Sequence, residues 1–261
     1  MTLPIYQVDA FTNSLFTGNP AAVVPLDKWL TDEHMQNIAA ENNLSETAFF
    51  VKEGDSYRLR WFTPTTEVDL CGHATLATAH VLFEELGYDE DELVFKTKSG
   101  ILTVGREGDY LKMNFPAVEM PEVEAPDVLF RSLGIQPTSR VYKTDDYMIV
   151  LDSEDEVAAL QPDLKMLKEI PARGVIVTAK GDKVDFVSRF FAPQSGVDED
   201  PVTGSAHTKS APYWSKKLNK TELKARQISH RGGDLVCRMK GDRVEILGHA
   251  ITYLKGEISF G

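Results

Sequence analysis

The feature of this sequence that most limits its fold is an internal repeat. Residues of the first half recur in the same order in the second half, at a spacing that begins at 129 residues and widens to 133. The pairs are Phe62 with Phe191, Pro64 with Pro193, Val68 with Val197, Asp69 with Asp198, Gly72 with Gly204, Ala74 with Ala206, Gly100 with Gly233, Leu102 with Leu235, Gly108 with Gly241, and Asp109 with Asp242. This order predicts a duplicated unit in which each half is rich in strands and packs round one helix.

The length of the chain and its middle segment predict two domains. With 261 residues, of which 42% are hydrophobic, the chain can bury one large core or two smaller ones. The segment "PAVEMPEVEAP" contains three prolines and no periodic apolar pattern, which is typical of a connector. We therefore predict domains at 1–116 and 127–249 and a linker at 117–126. A C-terminal strand near 250–261 is expected to pack back on the first domain.

Charge and hydropathy exclude two classes of partner. The chain has 40 acidic and 28 basic residues and a formal net charge of -12, so it repels the phosphates of nucleic acids and anionic lipids. No window approaches the ~18 consecutive apolar residues of a membrane span, and the start "MTLPIYQVDAFT" lacks the pattern of a secretory signal. We expect a cytoplasmic protein that binds neither nucleic acid nor membrane.

Local patterns predict many strands and few helices. Short apolar runs bounded by Gly, Pro and Asp are typical of strands, as in "IYQVDAF", "AAVVPL", "TAFFV" and "YRLRWF". Helices are predicted at 31–41, at 72–86 before Gly87, and at 203–218. Pro212 lies inside the third and is expected to kink or shorten it.

The stretch "VDLCGHATLATAH" places a glycine where a helix begins, and the repeat matches its "LCGHAT" with "VTGSAH". Gly72 and Gly204 therefore occupy the same place in the two halves. First-turn N–H groups of a helix are unpaired and carry the positive end of its dipole, so they suit a carboxylate or an enolate-like oxygen. We predict that the two helix starts face one cleft and bind an anionic group there.

Four motifs give the chain a resemblance to a known family. They are "AFT…GNPAAVV", "NNLSETAFF", "FTPTTEVDLCGHAT" and "DEDPVTGSAH", and they occur in this order across both halves. They resemble the signatures of the PhzF-like family of phenazine biosynthesis, which is related to diaminopimelate epimerase. The resemblance implies an α+β fold of two similar domains, each a mixed β-sheet curled round a central helix, with the active site in the cleft between them. It also favours a homodimer.

The same resemblance assigns roles to individual residues. It implies that Glu46 of "LSET" is the acid/base group, since a carboxylate in a partly desolvated cleft can take a proton from carbon and return it elsewhere. His73 and Asp200 match its other catalytic positions: His73 would hydrogen-bond or hand on a proton, and Asp200 would accept hydrogen bonds. Gly72, Gly204 and Ser205 match substrate-binding positions that suit a carboxylate.

The two cysteines form no ligand pattern for a metal and no disulfide framework. Related epimerases and racemases use two cysteines, one from each half, to move a proton. Here Cys71 is present, but the repeat pairs it with Thr203, whose hydroxyl is a poor proton acceptor. Cys237 lies in a predicted strand, at the position that the repeat pairs with Val104. We therefore interpret Cys71 as a small buried residue, while a one-thiol enzyme that uses Cys71 with Thr203 stays open.

Three functions follow from these observations. The first is an isomerase that moves a proton and a double bond within a small carboxylate. The second is an epimerase, racemase or dehydratase that uses Cys71. The third is a protein that binds partners and keeps a vestigial site. The sequence lacks a P-loop, a Rossmann glycine pattern and a lysine context typical of pyridoxal phosphate, so no cofactor and no metal are expected.

Overall fold

The computed structural model describes residues 1–138 and 140–260 of the chain. These residues divide into two compact units, of which the first contains Met1–Asn114 and the C-terminal residues from Ile246 onwards. The second unit is Phe115–Glu245. Among the described residues, no helix combines the length and the apolar character needed to cross a membrane.

Strands dominate both units, as the apolar runs predict. In chain order they are β1 (Thr2–Ala10), β2 (Asn19–Leu26), β3 (Glu46–Glu53), β4 (Ser56–Phe62), β5 (Glu67–Val68), β6 (Glu92–Thr97), β7 (Gly100–Glu107), β8 (Tyr110–Pro116), β9 (Val141–Lys143), β10 (Tyr147–Val150), β11 (Val175–Lys180), β12 (Phe186–Phe191), β13 (Glu222–Gln227), β14 (Gly233–Lys240), β15 (Arg243–Gly248) and β16 (Ala250–Ser259).

Helices are shorter and fewer. They are α1 (Asp32–Asn42), α2 (Gly72–His80), α3 (Asp127–Leu133), α4 (Glu154–Ala158), α5 (Leu164–Leu167) and α6 (Gly204–Leu218). A π-helical turn, Val81–Glu85, continues α2, and a 3-10 turn, Pro193–Ser195, follows β12. The three predicted helices are present, whereas α3, α4 and α5 were not predicted.

The two units repeat one strand order. In the first unit the order is β16-β1-β2-β3-β4-β6-β7-β8, with parallel pairs β2/β3 and β4/β6. In the second it is β9-β10-β11-β12-β13-β14-β15, with parallel pairs β10/β11 and β12/β13 in the corresponding places. Both sheets are mixed, and the match confirms the predicted duplication. The strand β16 pairs with β1 and so belongs to the first unit.

One helix of each unit is buried against its sheet. All residues of α2 from His73 to Ala79 are buried, and the helix contacts β1, β2 and β3. In the second unit α6 contacts β13 and β14, and its Ala206 packs in a core cluster with Met148, Ile176 and Phe190. The apolar content of each unit therefore holds the start of one helix in a fixed place on the sheet.

Pro212 does not shorten α6, because the helix runs from Gly204 to Leu218 through it. A proline inside a helix removes one N–H and leaves the carbonyl four residues earlier without its helical donor. Here the Val118 N–H donates to that carbonyl, on Thr208, at 3.0 Å. The backbone of the preceding segment thus replaces the missing bond.

The segment predicted as a linker at 117–126 belongs to the second unit. Besides the bond from Val118, the Ala117 N–H donates to Asp242 O at 2.9 Å and Glu122 forms a β-bridge with Tyr142. Three prolines keep the segment out of a regular helix, but its backbone groups find partners along the unit. The chain passes from the first unit to the second at 114–115, before these prolines.

Candidate active site

Glu46 is the first residue of β3, where the chain turns into the sheet after "NNLS". Its parallel neighbour in β2 is Ala21, so the Glu46 side chain lies at one end of a parallel strand pair. The side chain is 17% exposed. The Glu46 side chain is therefore mostly, but not fully, withdrawn from solvent.

The start of α2 brings two further side chains, those of Cys71 and His73, to Glu46. Cys71 precedes the helix in an extended conformation, with φ -144° and ψ 109°, and its side chain makes no capping hydrogen bond. Gly72 is the first helical residue and His73 the second. Cys71, Gly72 and His73 thus follow one another at the N-terminus of α2, where the first-turn N–H groups have no partner within the helix.

His73 is the centre of this cluster. Its Nε2 lies 3.2 Å from Glu46 Oε2, although the two atoms are not aligned as a regular hydrogen bond. On the other edge of the ring, Nδ1 lies 3.2 Å from Asn19 Nδ2 and 3.5 Å from Cys71 Sγ. The ring of His73 therefore lies between Glu46 on one edge and Asn19 and Cys71 on the other.

Burial decides the charge of His73. The side chain is almost fully enclosed, and desolvation lowers the pKa of His73 from 6.5 to about 3. The imidazole is therefore neutral near pH 7 and has one N–H group. Of the two roles that the resemblance implies for His73, a neutral ring suits hydrogen bonding, and the sequence alone does not reveal how deeply the ring is buried.

Atoms of metal-ligand type on Glu46, Cys71 and His73 lie within 4.8 Å of one another. Their geometry argues against a coordination site, because Glu46 faces Nε2 of the ring while Cys71 faces Nδ1. One imidazole nitrogen would have to face both for a shared ion. The contacts instead describe polar groups arranged around a single neutral ring.

The predicted residues of the second unit lie around the start of α6. Thr203 precedes the helix in an extended conformation, with φ -113° and ψ 99°, and Gly204 and Ser205 are the first helical residues. The Thr203 hydroxyl donates to Asp200 Oδ2 at 2.5 Å. Gln227, fully buried at the end of β13, accepts from Thr203 N at 2.8 Å and donates to Asp200 O at 2.6 Å.

The structure therefore brings Glu46, Gly72 and His73 together in the first unit, and Asp200, Gly204 and Ser205 together in the second. The prediction that both groups face one cleft concerns the arrangement of the two units and stays a prediction. Sequence reasoning gave no role to two buried polar residues, Asn19 and Gln227. The motif "GNPAAVV" contained Asn19, but a motif alone does not indicate a contact with a side chain 54 residues away.

A groove of about 410 Å³ lies elsewhere in the second unit. It is lined by Tyr142, Tyr213, Met120, Met148 and several lysines of α6, and it contains none of the predicted site residues. The side chains of Glu46 and His73 are 17% and 6% exposed and do not line this groove. Size therefore does not identify the chemical site here.

The comparison with known proteins settles the family. The family model described as "Phenazine biosynthesis-like protein" matches residues 8–256. The chain belongs to this phenazine biosynthesis-like family. An "uncharacterized isomerase" of Pseudomonas aeruginosa is 57% identical over 258 residues, which cover 99% of each chain.

Solved structures extend the comparison to the fold. The crystal structure of a phenazine biosynthesis protein of the PhzF family from Enterococcus faecalis is 50% identical, covers 100% of both chains and gives a TM-score of 0.97. A probable proline racemase of Agrobacterium radiobacter is 10% identical, covers 99% of this chain and 93% of its own, and gives a TM-score of 0.65. The α+β fold of the phenazine biosynthesis-like family is thus shared with a racemase, as the predicted epimerase-like fold requires.

Proposed function

We propose that this protein is an isomerase that moves a proton, and with it a double bond, within a small substrate that carries a carboxylate. Glu46 removes the proton from one carbon and returns it to another, without a cofactor. Membership of the phenazine biosynthesis-like family and the isomerase name of the Pseudomonas aeruginosa relative support this reaction class.

The observation that carries the proposal is the position of the Glu46 carboxylate beside a neutral histidine. A general base must be able to reach its substrate, and its proton must stay in a confined place between removal and return. Glu46 is partly exposed, whereas His73 beside it is buried. Since the ring of His73 is neutral, it can donate one hydrogen bond to the carboxylate or to an oxygen that becomes negative during the reaction.

The second unit is proposed to bind the substrate. Asp200 accepts the Thr203 hydroxyl and is half-buried, so one of its oxygens can also accept from an amine or a hydroxyl. Gly204 and Ser205 supply first-turn N–H groups and a hydroxyl, which suit a carboxylate. These roles follow the family resemblance.

A second candidate is an epimerase or racemase that uses Cys71 as its base. It is favoured by the 3.5 Å contact of Cys71 Sγ with His73 Nδ1, since an imidazole can take the proton of a thiol. It is disfavoured by Thr203, which the repeat places where a second thiol would be needed, because a hydroxyl that donates to Asp200 is a poorer proton acceptor than a thiolate. We therefore rank Glu46 before Cys71.

The experiment that tests the proposal is solvent exchange. Candidate unsaturated and amino-acid-like carboxylates are incubated with the protein in deuterated water, and NMR detects deuterium at carbon. The wild type should exchange at least one of them. Glu46→Gln keeps size and hydrogen bonding but removes the base, so exchange should fall by about 10²- to 10⁴-fold with little change in KM.

Glu41→Gln is the matched control, because Glu41 is an exposed glutamate on α1, five residues before Glu46. It should leave exchange at the wild-type rate. Exchange that survives in Glu46→Gln at the rate of Glu41→Gln would contradict the proposal.

A further inference from the structure

Asn19 is the first residue of β2 and is fully buried. Its side-chain Nδ2 lies 3.2 Å from Nδ1 of His73. With the amide oriented in this way, its N–H group donates, and Nδ1 accepts and has no proton of its own. The Cys71 thiol, 3.5 Å from the same atom, can donate to it as well.

We propose that Asn19 is a positioning residue, whose amide donates to Nδ1 of His73 and thereby places the ring proton on Nε2, the atom that faces Glu46. The inference rests on the proposed function, because it explains how the ring beside the base is held. It adds a residue that acts through His73 and does not itself touch the reacting atoms.

The other tautomer conflicts with both edges of the ring. With the proton on Nδ1, this N–H would meet the N–H of Asn19 at 3.2 Å, and the lone pair of Nε2 would face the Glu46 carboxylate. Buried polar groups without a suitable partner cost about 1–3 kcal/mol each. With the proton on Nε2, the Asn19 amide N–H and the Cys71 thiol can both donate to Nδ1, and the ring N–H lies on the side of the Glu46 carboxylate.

This arrangement has a consequence for the reaction. His73 presents one fixed N–H group towards Glu46 and does not compete with it for the proton of the substrate. Burial keeps the ring neutral near pH 7, since the pKa of His73 is lowered to about 3, so the ring has a single N–H group there. Glu46 alone then changes its protonation state.

The repeat shows why an amide is needed at this place. Asn19 lies two residues before Ala21, which pairs with the first residue of β3, and Asp145 lies two residues before Tyr147, which pairs with the first residue of β11. The second unit thus has a carboxylate where the first has an amide. A carboxylate at position 19 would accept a hydrogen bond and would draw the ring proton to Nδ1.

The direct test is ¹⁵N NMR of the protein with labelled histidine, in which the two ring nitrogens give different signals with and without a proton. The signal of His73 is identified by its loss in His73→Gln. In the wild type we expect a proton on Nε2 and none on Nδ1. A proton on Nδ1 of the wild type would overturn the proposal, whether or not any substrate is found.

Asn19→Asp should reverse the tautomer or add a second proton to the ring. Fixing the wrong tautomer of a catalytic histidine can lower turnover by about 10⁴-fold. We therefore expect kcat to decrease by at least about 10²-fold, with little change in KM. Asn42→Asp is the control, because its amide donates to Thr47 Oγ1 at 3.0 Å, next to Glu46 in β3, but does not contact His73. It should change neither the NMR signals of His73 nor kcat by more than a few-fold.

Asn19→Ser is the second variant if a buried aspartate prevents folding. Its hydroxyl is neutral and can donate to Nδ1, but the serine side chain is shorter than that of asparagine, so this hydrogen bond should be weaker. We expect a mixture of tautomers and an intermediate kcat. An unchanged tautomer in both folded variants, or a loss of kcat equal to that in Asn42→Asp, would overturn the proposal. Failure of the proposed function would look different: no carboxylate would exchange, while the tautomer of His73 would still respond to Asn19.

Discussion

The starts of α2 and α6 share a backbone conformation but have different side chains. Each begins at a glycine after a residue in extended conformation, Cys71 or Thr203, and neither of these side chains caps its helix. At α2 the next side chain is a buried neutral histidine beside the Glu46 carboxylate. At α6 it is Ser205, and the polar contacts run from Thr203 to Asp200. The duplication therefore preserved the backbone of the helix start while its side chains diverged, and under the proposed function the first half transfers the proton and the second binds the substrate.

The two units also differ in the charge of the residues that pack against each helix. In α2 the sixth residue is Ala77, whereas the sixth residue of α6 is Lys209, which is buried. Lys209 Nζ lies 2.6 Å from Asp145 Oδ1 and also pairs with Asp146, which is fully enclosed and contacts Arg173. Burial raises the pKa of Asp145, but its hydrogen bond to Lys209 and the nearby cations outweigh this and lower it to about 2. The second half thus replaces the uncharged support of the first with ion pairs.

Other supports were kept. Arg60 binds Glu67 through two hydrogen bonds of 2.7 and 2.9 Å, and Arg189 binds Glu199 through two bonds of the same lengths. Each arginine also lies over a phenylalanine at the end of the same strand, at 5.1 and 4.9 Å from the ring centre. Paired planar groups of this kind fix geometry as well as energy. The two halves therefore differ in the site and agree in the frame that holds it.

The largest effect on stability is expected where the second half is charged and the first is not. Lys209→Met leaves the buried Asp146 carboxylate with only Arg173, and breaking a buried ion pair in this way costs about 3 kcal/mol or more. Urea unfolding should show this loss. The control is Lys216→Met, because Lys216 pairs with Glu119 at 2.7 Å on the surface, where such pairs contribute at most about 1 kcal/mol.

Equal losses in the two lysine variants would contradict this difference between the halves. They would mean that the second half, like the first, does not depend on charge at this place. A loss in Lys209→Met without a change in the solvent exchange of substrate would show that the ion pairs support the frame and not the chemistry.

The architecture could be predicted because the repeat and the apolar runs are patterns that can be seen along the sequence itself. The glycine motifs predicted where α2 and α6 begin, and Glu46 was correctly placed at the start of a strand. Three short helices were missed, since α4 and α5 have only five and four residues and too few turns to show a period.

Contacts between distant residues could not be predicted. Asn19 and His73 are 54 residues apart, and only the pairing of β2 beside β3 and α2 brings them together. Pro212 was expected to disturb its helix because the rule for proline considers the helix alone. The donor that replaces the lost bond, Val118, comes from a segment that was interpreted as a connector.

A smaller effect is expected from the one buried histidine near the start of each helix. Burial lowers the pKa of His73 to about 3 and that of His207 to about 4, below the 6.5 of an exposed histidine. At a pH between 6.5 and these lowered pKa values, the histidines bind protons in the unfolded chain but not in the folded chain. The free energy of unfolding is therefore highest above pH 6.5 and falls as the pH decreases. Each histidine should account for a loss of about 2–3 kcal/mol at pH 4.5.

His207→Asn sharpens this comparison. The amide can still donate to Thr203 O, as His207 Nδ1 does at 2.8 Å, but it does not titrate. The variant is expected to be less stable at pH 8 because it leaves a small cavity, and its stability should fall less than that of the wild type between pH 8 and pH 4.5. Parallel stability curves for the two proteins would show that His207 is not held neutral.

The central claim is that proton transfer belongs to Glu46 and not to the thiol beside it. The most direct measurement is the rate of deuterium incorporation by Glu46→Gln and Cys71→Ala, on the same carboxylate and at the same pH. We predict a loss of about 10²- to 10⁴-fold for Glu46→Gln and a loss below about 10-fold for Cys71→Ala. Near-normal incorporation by Glu46→Gln together with an inactive Cys71→Ala would contradict the account and assign the reaction to Cys71.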